Sequence, residues 1–403
     1  MSLLPVDEAV ARMLADAGPA GVEEVALSAA HGRVLATDLS ATRTQPPFDA
    51  SAMDGYAVRA ADLATLPVEL EVIGTAPAGR AFAGAVGPGQ AVRIFTGAPV
   101  PAGADAILIQ ENTEPAGPGR VRALVPVSAG RHIRRAGVDF TAGQMGLKAG
   151  TRLDFRALSL AAAMNHGQVA VVRRPLVAIL ATGDELVPPG SPVGPDQIVA
   201  SNHVGIAALV ERAGGVALDL GIAADDRQAI AGRIRAAREA GADIIVTLGG
   251  ASVGDHDLVK PVLEAEGCIL DFWKIAMRPG KPLMFGRLGG ARVLGLPGNP
   301  VSSLVTGLLF LTPLVRALAG GGRAPVADQA AVLGADVAEN DGRRDYLRAT
   351  LSLDGEGRRV ATPLTKQDSS LLSVLARADA LLVREVRAPA ARAGDPCRII
   401  PFS

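Results

Sequence analysis

Three segments of this 403-residue chain combine glycine with small polar or acidic residues directly after an apolar run. They are Thr182-Gly183-Asp184-Glu185, residues 249–257 (GGASVGDHD) and residues 297–303 (PGNPVSS). Glycine lets backbone N–H groups approach an anion, and a helix that starts after the loop adds partial positive charge. One such segment also fits an ordinary glycine-rich turn, but three together favour loops that hold phosphate oxygens. They match neither the P-loop nor the GxGxxG pattern of dinucleotide-binding proteins.

Two cations, Arg278 and Lys281, lie in a loop that prolines stiffen (MRPGKP, residues 277–282). A guanidinium offers a fork that matches phosphate, whereas an ammonium is a compact charge. The alternative is an exposed, solvated pair. Because the formal net charge of the chain is -1, an anionic ligand needs a local cationic site of this kind.

Carboxylates in the same loops indicate a hard metal ion. Glu185 and Asp257 are candidate ligands, because Mg²⁺ bound to phosphate takes one or two carboxylates and several waters. The alternative is that Glu185 caps a turn and Asp257 begins a helix. A zinc site is not expected, since the two cysteines and five histidines show no ligand spacing.

The composition excludes several classes of protein. Lys plus Arg (40) nearly equals Asp plus Glu (41), and aromatic residues make up 3% of the chain, which argues against general binding of nucleic acid or anionic membranes. The first residues, MSLLPVDE, carry acids where a signal peptide has bases. The longest apolar run, residues 301–318, contains polar residues and a proline and therefore does not predict a membrane span. We expect a cytoplasmic protein without nucleic-acid or membrane partners.

The elements that must position these loops follow from hydrophobic patterning. Between residues 175 and 322, continuous apolar strands alternate with helices, which predicts a parallel α/β sheet. The helices are expected over 201–213, 225–240 and 300–318. Ligands of such sheets bind beyond the carboxyl ends of the strands, so we expect the three glycine-containing loops on one rim.

The rest of the chain has different residue patterns. An amphipathic helix is predicted over residues 5–17 and a β-rich region over 45–139, where short apolar runs alternate with Gly and Pro. Residues 140–170 are expected to be helical and to end near Gly167. From residue 323 onward, short strands predict a small β domain.

Six motifs occur in a fixed order: PPFDASAMDGYAV (46–58), RIFTGAPVPAGADAILIQEN (93–112), ATGDEL (181–186), TLGGASVGDHD (247–257), MRPGKP (277–282) and LPGNPVSS (296–303). Together they resemble the MoeA family of molybdopterin molybdenumtransferases, which includes the E domain of gephyrin. The resemblance covers nearly the whole chain.

The resemblance implies an α/β and β multidomain fold in an elongated chain. It comprises a split helical or linker domain (1–44 plus 140–174), an inserted β-rich domain (45–139), a parallel-sheet α/β domain of the molybdopterin-binding type (175–322) and a C-terminal β domain (323–403). The family works as a homodimer whose active cleft lies between the α/β domain of one chain and the inserted domain of the other.

The implied reaction inserts molybdenum from molybdate into adenylylated molybdopterin and releases AMP, with Mg²⁺ or a similar divalent cation. A molybdopterin adenylyltransferase would act upstream. The resemblance carries catalytic roles to Asp54, Thr96, Glu185, Asp257, Lys281 and Arg278, of which Asp54, Glu185 and Asp257 would hold the metal. Arg278 stands where the family commonly has lysine.

Binding of the adenylylated pterin is implied for a larger set of residues. These are Gly249, Gly250, Ser252, Gly254, Pro297, Gly298, Asn299, Pro300, Ser302, Arg134, Asp139 and Ser369. Ser369 belongs to the segment QDSS (367–370), which resembles a QGS signature with Asp368 in place of glycine.

Three alternatives stay open from the sequence. The chain could share the adenylyltransferase activity of enzymes built on the same α/β domain, although those enzymes resemble that domain alone. The inserted metal could be tungsten, because tungstate and molybdate are similar tetrahedral dianions. The third alternative is a non-enzymatic scaffold.

Overall fold

The computed structural model describes residues 3–250 and 258–402. The chain divides into two compact units. Unit 1 comprises Met1–Glu23, Gly32–Ala36 and Ala170–Ser403, and unit 2 comprises Glu24–His31 and Thr37–Val169.

Within the described residues, the α-helices are α1 (Val6–Leu14), α2 (Phe155–Ala163), α3 (Asn202–Arg212), α4 (Arg227–Glu239), α5 (Val259–Ala265), α6 (Pro300–Thr306), α7 (Thr312–Leu318) and α8 (Leu372–Leu375). The strands of the first half of the chain are β1 (Val22–Ala26), β2 (Leu39–Ser40), β3 (Ala50–Ser51), β4 (Gly55–Val58), β5 (Val68–Ala76), β6 (Gln90–Ile94), β7 (Ala106–Ile109), β8 (Thr113–Pro115), β9 (Arg120–Ala123), β10 (Ile133–Arg134), β11 (Met145–Leu147) and β12 (Gln168–Val172). The strands of the second half are β13 (Leu176–Thr182), β14 (Leu186–Val187), β15 (Ile198–Val199), β16 (Val216–Ala223), β17 (Ile244–Leu248), β18 (Ile269–Trp273), β19 (Met277–Arg278), β20 (Met284–Leu288), β21 (Ala291–Leu296), β22 (Gln329–Leu333), β23 (Arg344–Leu353), β24 (Arg359–Pro363), β25 (Ala380–Arg384) and β26 (Pro396–Pro401).

The central sheet of unit 1 has the strand order β16-β13-β17-β21-β20-β18 in the described chain. Its first four strands are parallel, and the last two are antiparallel additions at the edge. Alternate residues of β13 pack on opposite faces: Ile179 joins one core cluster, and Ala178 and Leu180 join the other. A strand buried on both faces needs a continuous apolar run, so the parallel α/β sheet predicted from the sequence is confirmed.

One long helical run covers a face of this sheet. It consists of α6, a π-helical turn at Gly307–Leu311, and α7. Pro313 has no backbone N–H to donate, and a π-helical turn just before it accommodates the lost bond. By length and composition the run Pro300–Leu318 could cross a membrane, but 83% of its most apolar window is buried inside the protein. The burial of this helix in the core accounts for its apolar character.

The C-terminal strands of unit 1 form a small barrel. In the described chain, β23, β24, β22, β26 and β25 follow one another and β25 pairs back to β23. The two-residue strand β19 of the α/β region pairs in parallel with β23. The helix α1 belongs to the same unit, where Val10, Met13 and Leu14 are buried as the sequence predicts.

Unit 2 is built on a mixed sheet with the order β7-β4-β6-β5-β9-β8. Neighbouring residues of β4, Ala57 and Val58, enter different core clusters, so both faces of this sheet are covered as well.

The prediction of helix throughout 140–170 is wrong, because the only α-helix described there is α2. The preceding residues form β11, which pairs with β2. The helix begins after Asp154, whose carboxylate accepts hydrogen bonds from the amides of Arg156 and Ala157. The chain leaves the helix at Asn165, which has a φ of 72°, rather than at Gly167.

Candidate functional site

A cleft of about 720 Å³ lies at the carboxyl ends of β13, β17 and β21 in unit 1. A volume of this size is typical of small-molecule sites. Its walls include residues from all three predicted loops: Glu185, Gly249, Gly250 and residues 297–300. The prediction that these loops share one rim therefore agrees with the structure.

Glycine is required where the loops meet. Gly249 has a φ of 96°, and a Cβ atom placed on it would lie 3.0 Å from the carbonyl oxygen of Thr182. A Cβ on Gly298 would lie 3.6 Å from the Cα of Gly249. The backbones that follow β13 and β17 therefore approach closely at Gly249, and the loop after β21 lies in contact with them at Gly298.

The loop that opens α6 is held by two neighbours. Asn202 donates from Nδ2 to the carbonyl oxygen of Gly298 (2.7 Å), and Asn299 donates from Nδ2 to Oγ of Ser369 (3.1 Å). The amide of Val301 donates to the carbonyl oxygen of Ser369 (3.0 Å). Ser369 is thus placed against the predicted binding loop, where it uses one of the first amides of the helix.

The other predicted members of this loop differ in exposure. Gly298 and Asn299 are exposed, Pro300 is partly exposed, and Pro297 and Ser302 are buried. The cleft can therefore offer the first three to a ligand directly, whereas Ser302 lies beneath the loop.

In the described parts of the chain, two carboxylates line the cleft. Glu185 is exposed, and its side chain folds back over Gly183: a Cβ on that glycine would lie 2.5 Å from Oε2 of Glu185. Asp225, at the end of β16, lines the same cleft and was not selected from the sequence. The sequence treats Asp225 and Asp226 together as a helix start, but only Asp226 caps α4. The position of Asp225 just after a strand of the same sheet is the signal that could have identified it.

The predicted residues Ser252, Gly254 and Asp257 lie outside the described residues. Among the residues that are described, no group of three His, Cys, Asp or Glu side chains is arranged around a common point. The oxygen donors of Glu185 and Asp225 nevertheless match the preference of a hard divalent cation, and their exposure leaves room for the waters that Mg²⁺ retains.

The two cations of residues 277–282 have different surroundings. The Arg278 guanidinium donates to both carboxylate oxygens of Asp345, through Nε (2.8 Å) and Nη2. This hydrogen bonding raises the pKa of Arg278. Lys281 is exposed, and no carboxylate of the described chain pairs with it. Pro282, the next residue, lines the cleft.

Two further lysines, Lys260 of α5 and Lys274 directly after β18, lie against the last residue of that edge strand. The ammonium groups of Lys260 and Lys274 each lie 4.4 Å from the centre of the Trp273 ring. Only five of the 40 Lys and Arg residues in the chain are lysine, and three of them fall between residues 260 and 281. This concentration is the sequence signal that could have drawn attention to them.

The segment 367–370 packs against a buried arginine. Arg348 is 1% exposed, donates from Nη2 to the carbonyl oxygen of Asp368 (3.1 Å), and leaves Nε without a partner among the described residues. Burial lowers the pKa of Arg348. The Asp368 carboxylate accepts from the amide (2.8 Å) and hydroxyl (2.6 Å) of Ser370, which lowers its pKa. The sequence did not single out Arg348, because its strand face also carries the polar residues Arg344, Thr350 and Ser352.

In unit 2, Asp54 is fixed by Thr96. The amide and hydroxyl of Thr96 donate to Oδ1 of Asp54 over 2.7 and 2.8 Å, and these bonds lower the pKa of Asp54. The residue after Asp54 must be glycine, because a Cβ on Gly55 would lie 2.0 Å from the carbonyl oxygen of Leu108. Nearby, the Arg93 guanidinium carbon lies 5.1 Å from the ring centres of both Tyr56 and Phe95. The structure therefore brings together the two residues predicted from separate motifs.

Arg134 and Asp139 also belong to unit 2, and both are exposed. Arg134 lies on β10, opposite Ala50 of β3. The neighbouring Arg135 pairs with Asp49 at 2.5 Å, so the arginine of this stretch that has a visible structural role is not the predicted one.

Comparison with known proteins places the whole chain in one family. Residues 4–165 match the MoeA N-terminal region (domain I and II), residues 178–317 a probable molybdopterin binding domain, and residues 330–402 the MoeA C-terminal region (domain IV). The molybdopterin molybdenumtransferase of Haemophilus influenzae is 35% identical over 100% of this chain and 99% of its own length. That of a Nostoc species is 41% identical over 82% of this chain and 77% of its own length.

A solved structure, the molybdopterin biosynthesis MoeA protein from Pyrococcus horikoshii, is similar over the full length of both chains. The TM-score is 0.85 and the sequence identity 32%. The agreement in sequence and in fold leads to one conclusion. This chain belongs to the MoeA family.

Proposed function

We propose that this protein is a molybdopterin molybdenumtransferase of molybdenum cofactor biosynthesis. It takes adenylylated molybdopterin and molybdate, inserts molybdenum into the pterin dithiolene and releases AMP. The observation that carries the proposal is the cleft at the carboxyl ends of β13, β17 and β21, where backbone loops, Glu185 and Asp225 line one cavity. The family membership of the entire chain supports the same activity.

The chemistry of the cleft suits a phosphoanhydride substrate. Backbone groups at Gly249, Gly250 and Gly298 can approach phosphate oxygens closely because glycine has no side chain, and at Gly249 the φ of 96° and a contact of 3.0 Å disfavour any other residue. The exposed Lys281 supplies a compact positive charge beside Pro282. Positioning of this kind accounts for most of the catalysis of phosphoryl chemistry.

A magnesium ion would neutralise charge that develops on the departing AMP phosphate. Glu185 is the residue of the cleft that would hold it, with Asp225 beside it, and Asp54 and Asp257 remain predicted ligands. Asp54 is ionised over a wide pH range because Thr96 lowers its pKa. Thr96 acts by orienting that carboxylate.

Molybdate is a tetrahedral dianion, which a cation and hydrogen-bond donors bind better than carboxylates do. The side chains that suit it are Lys281, Ser369 and the buried Arg348, whose Nε has no partner among the described residues. A buried, unpaired guanidinium nitrogen is costly, and an anionic ligand that reached it would satisfy it.

The working form proposed is a cytoplasmic homodimer supplied by a molybdopterin adenylyltransferase. The resemblance to the family supports these points, and sedimentation analysis of the purified protein tests the dimer. A monomer that retains full activity would contradict it.

The activity is tested by incubating the purified protein with adenylylated molybdopterin, molybdate and Mg²⁺. We expect AMP and molybdenum-loaded pterin to form in equal amounts. Adenylylation of free molybdopterin by ATP, without use of molybdate, would instead assign the adenylyltransferase reaction. A parallel incubation with tungstate measures the preference between the two metals.

A further inference from the structure

The side chain of Arg278 attaches the loop that carries Lys281 to the barrel, chiefly through the Asp345 carboxylate. Asp345 is only 7% exposed at its side chain, whereas Arg278 is 47% exposed. The Arg278 fork reaches both oxygens of Asp345 and places Nη1 3.4 Å from Oδ2 of Asp341. Two parallel hydrogen bonds fix the direction of a guanidinium as well as its position.

The backbone reinforces this contact. Met277 and Arg278 pair in parallel with Arg344 and Asp345, and the amide of Arg344 donates to the carbonyl oxygen of Ala276 (2.9 Å). Arg344 is itself anchored, because its guanidinium donates to the two oxygens of Asp7 over 2.6 and 2.8 Å. Asp345 therefore projects from a rigid strand.

The opposite side of the loop is also fixed. The amide of Ile275 donates to the carbonyl oxygen of Lys281 (2.9 Å). Gly280 has a φ of 104°, and a Cβ on it would lie 2.4 Å from Cγ2 of Thr306. The loop thus runs between α6 and the barrel, and the position of Lys281 depends on both contacts.

We propose that Asp345 is a positioning residue. It accepts hydrogen bonds from Arg278 and thereby keeps Lys281 next to the cleft. Arg278 then acts through the loop, and the charge that meets the substrate is that of Lys281. The pairing suits arginine, because a guanidinium forms two parallel hydrogen bonds with the two oxygens of Asp345. This inference rests on the proposed function, because it assigns Lys281 to the anionic substrate.

The alternative is that Arg278 binds the substrate itself. The effect of Asp345→Asn on KM distinguishes these two roles of Arg278. If Asp345 positions the loop, its replacement raises the KM for adenylylated molybdopterin about ten-fold or more, because small displacements of a binding group are costly. If Arg278 binds substrate directly, the replacement frees its charge and the KM stays the same or falls.

The experiment measures kcat and KM for wild type, Asp345→Asn, Arg278→Lys and the double variant. We expect both single variants to raise KM by similar factors and the double variant to be no worse than either, since all three break one interaction. Arg278→Lys keeps the charge and also serves if Asp345→Asn fails to fold. An unchanged KM in Arg278→Lys, or a KM in the double variant equal to the product of the two single effects, would overturn the inference.

Glu385→Gln is the matched control. Glu385 accepts a hydrogen bond from Nε of Arg344 (2.8 Å), so it belongs to the same charged region without contacting the loop. We expect its KM to stay within two-fold of wild type. A KM increase equal to that of Asp345→Asn would show a general loss of barrel structure and would contradict a specific role for Asp345.

Amide hydrogen exchange separates this inference from the proposed function. Asp345→Asn should speed exchange in residues 274–283 while α3 and α4 keep their protection, and Glu385→Gln should change neither. If the wild type inserts no molybdenum, the proposed function fails, and the exchange data alone then decide whether Asp345 holds the loop. Unchanged exchange in residues 274–283 would overturn the positioning role.

Discussion

Unit 1 contains two regions whose ionic groups differ in whether they are paired: the cleft, and a set of ion pairs that we call the charged seam. The charged seam is the set Asp7, Arg278, Arg344, Asp345 and Glu385, and each of its members has a described ionic partner. Lys281, which directly precedes the cleft-lining Pro282, is exposed and has no carboxylate partner in the described chain. The buried Arg348 of the barrel leaves Nε without a partner among the described residues.

The difference teaches which charges maintain the fold and which are available to a ligand. A paired charge between two elements stabilises their contact when both partners are held in place. A buried unpaired charge lowers stability unless a ligand satisfies it, and an exposed unpaired charge beside a cleft is free to meet an anionic ligand. Mutations in the two regions should therefore separate activity from stability.

The largest expected effect on activity is that of Glu185→Gln. Loss of a carboxylate at the cleft should lower molybdenum insertion on the order of 100-fold and raise the Mg²⁺ concentration needed for half-maximal rate. The melting temperature should not fall, because Glu185 is exposed and makes no described ion pair. A magnesium titration of wild type and variant measures both points, and an unchanged magnesium requirement would remove Glu185 from the metal site.

Lys281→Ala should weaken binding of adenylylated molybdopterin by about 1–3 kcal/mol, which is the range for a lost hydrogen bond to a charged group. Thermal unfolding should again be unaffected. Isothermal titration with wild type and variant measures the difference. If wild type and Lys281→Ala bind adenylylated molybdopterin equally well but the variant melts at a lower temperature, Lys281 stabilises the fold rather than binding the substrate.

Arg344→Met tests the seam. It removes the partner of Asp7 and Glu385 at a side chain that is 19% exposed, and we expect the free energy of unfolding to fall by about 1–2 kcal/mol after allowance for screening at exposed Asp7. Because Arg344 lowers the pKa of Asp7, this pair stabilises the protein above the ordinary aspartate pKa and loses that contribution as the pH falls through the lowered value. Urea unfolding between pH 3 and 7 should show the wild-type advantage shrinking at the acid end. An advantage that is constant with pH would contradict the pairing.

Thr96→Val is expected to have the smallest effect. It removes the hydroxyl bond to Asp54 but leaves the amide bond, so the pKa of Asp54 should rise part of the way towards its ordinary value. A carbon-13 titration of the Asp54 carboxyl measures the shift, with Thr113→Val as a control because its hydroxyl bonds to a backbone carbonyl. A pKa that does not move would show that the amide bond alone sets it.

The hydrophobic pattern of the sequence predicted the buried strands and the positions of the loops that follow them. Strands such as Leu176–Thr182 and Ile244–Leu248 are continuous apolar runs, so their burial and the position of the loops after them follow directly. The start of α2 could not be placed, because glycine-containing residues before it pair with a distant strand rather than continue a helix.

Side-chain partnerships were harder to predict than strands. Arg278 and Lys281 are equivalent as charges in the sequence, and only the placement of Asp345 distinguishes them. Arg348 and Asp368 come together because β23 and the segment 367–370 are neighbours in the fold, a contact that no local pattern specifies. Sequence therefore located the loops, whereas tertiary contacts decide which side chains in them are free to act.

The most direct test of this account is an amide hydrogen-exchange footprint of the wild-type protein with adenylylated molybdopterin bound. We expect added protection at residues 182–186, 249–250, 281–282 and 298–302. We expect no added protection in α1 or in the barrel strands that pack against α1. Protection confined to α1 and the barrel, with no change at the four loops, would contradict the assignment of the cleft as the site of the reaction.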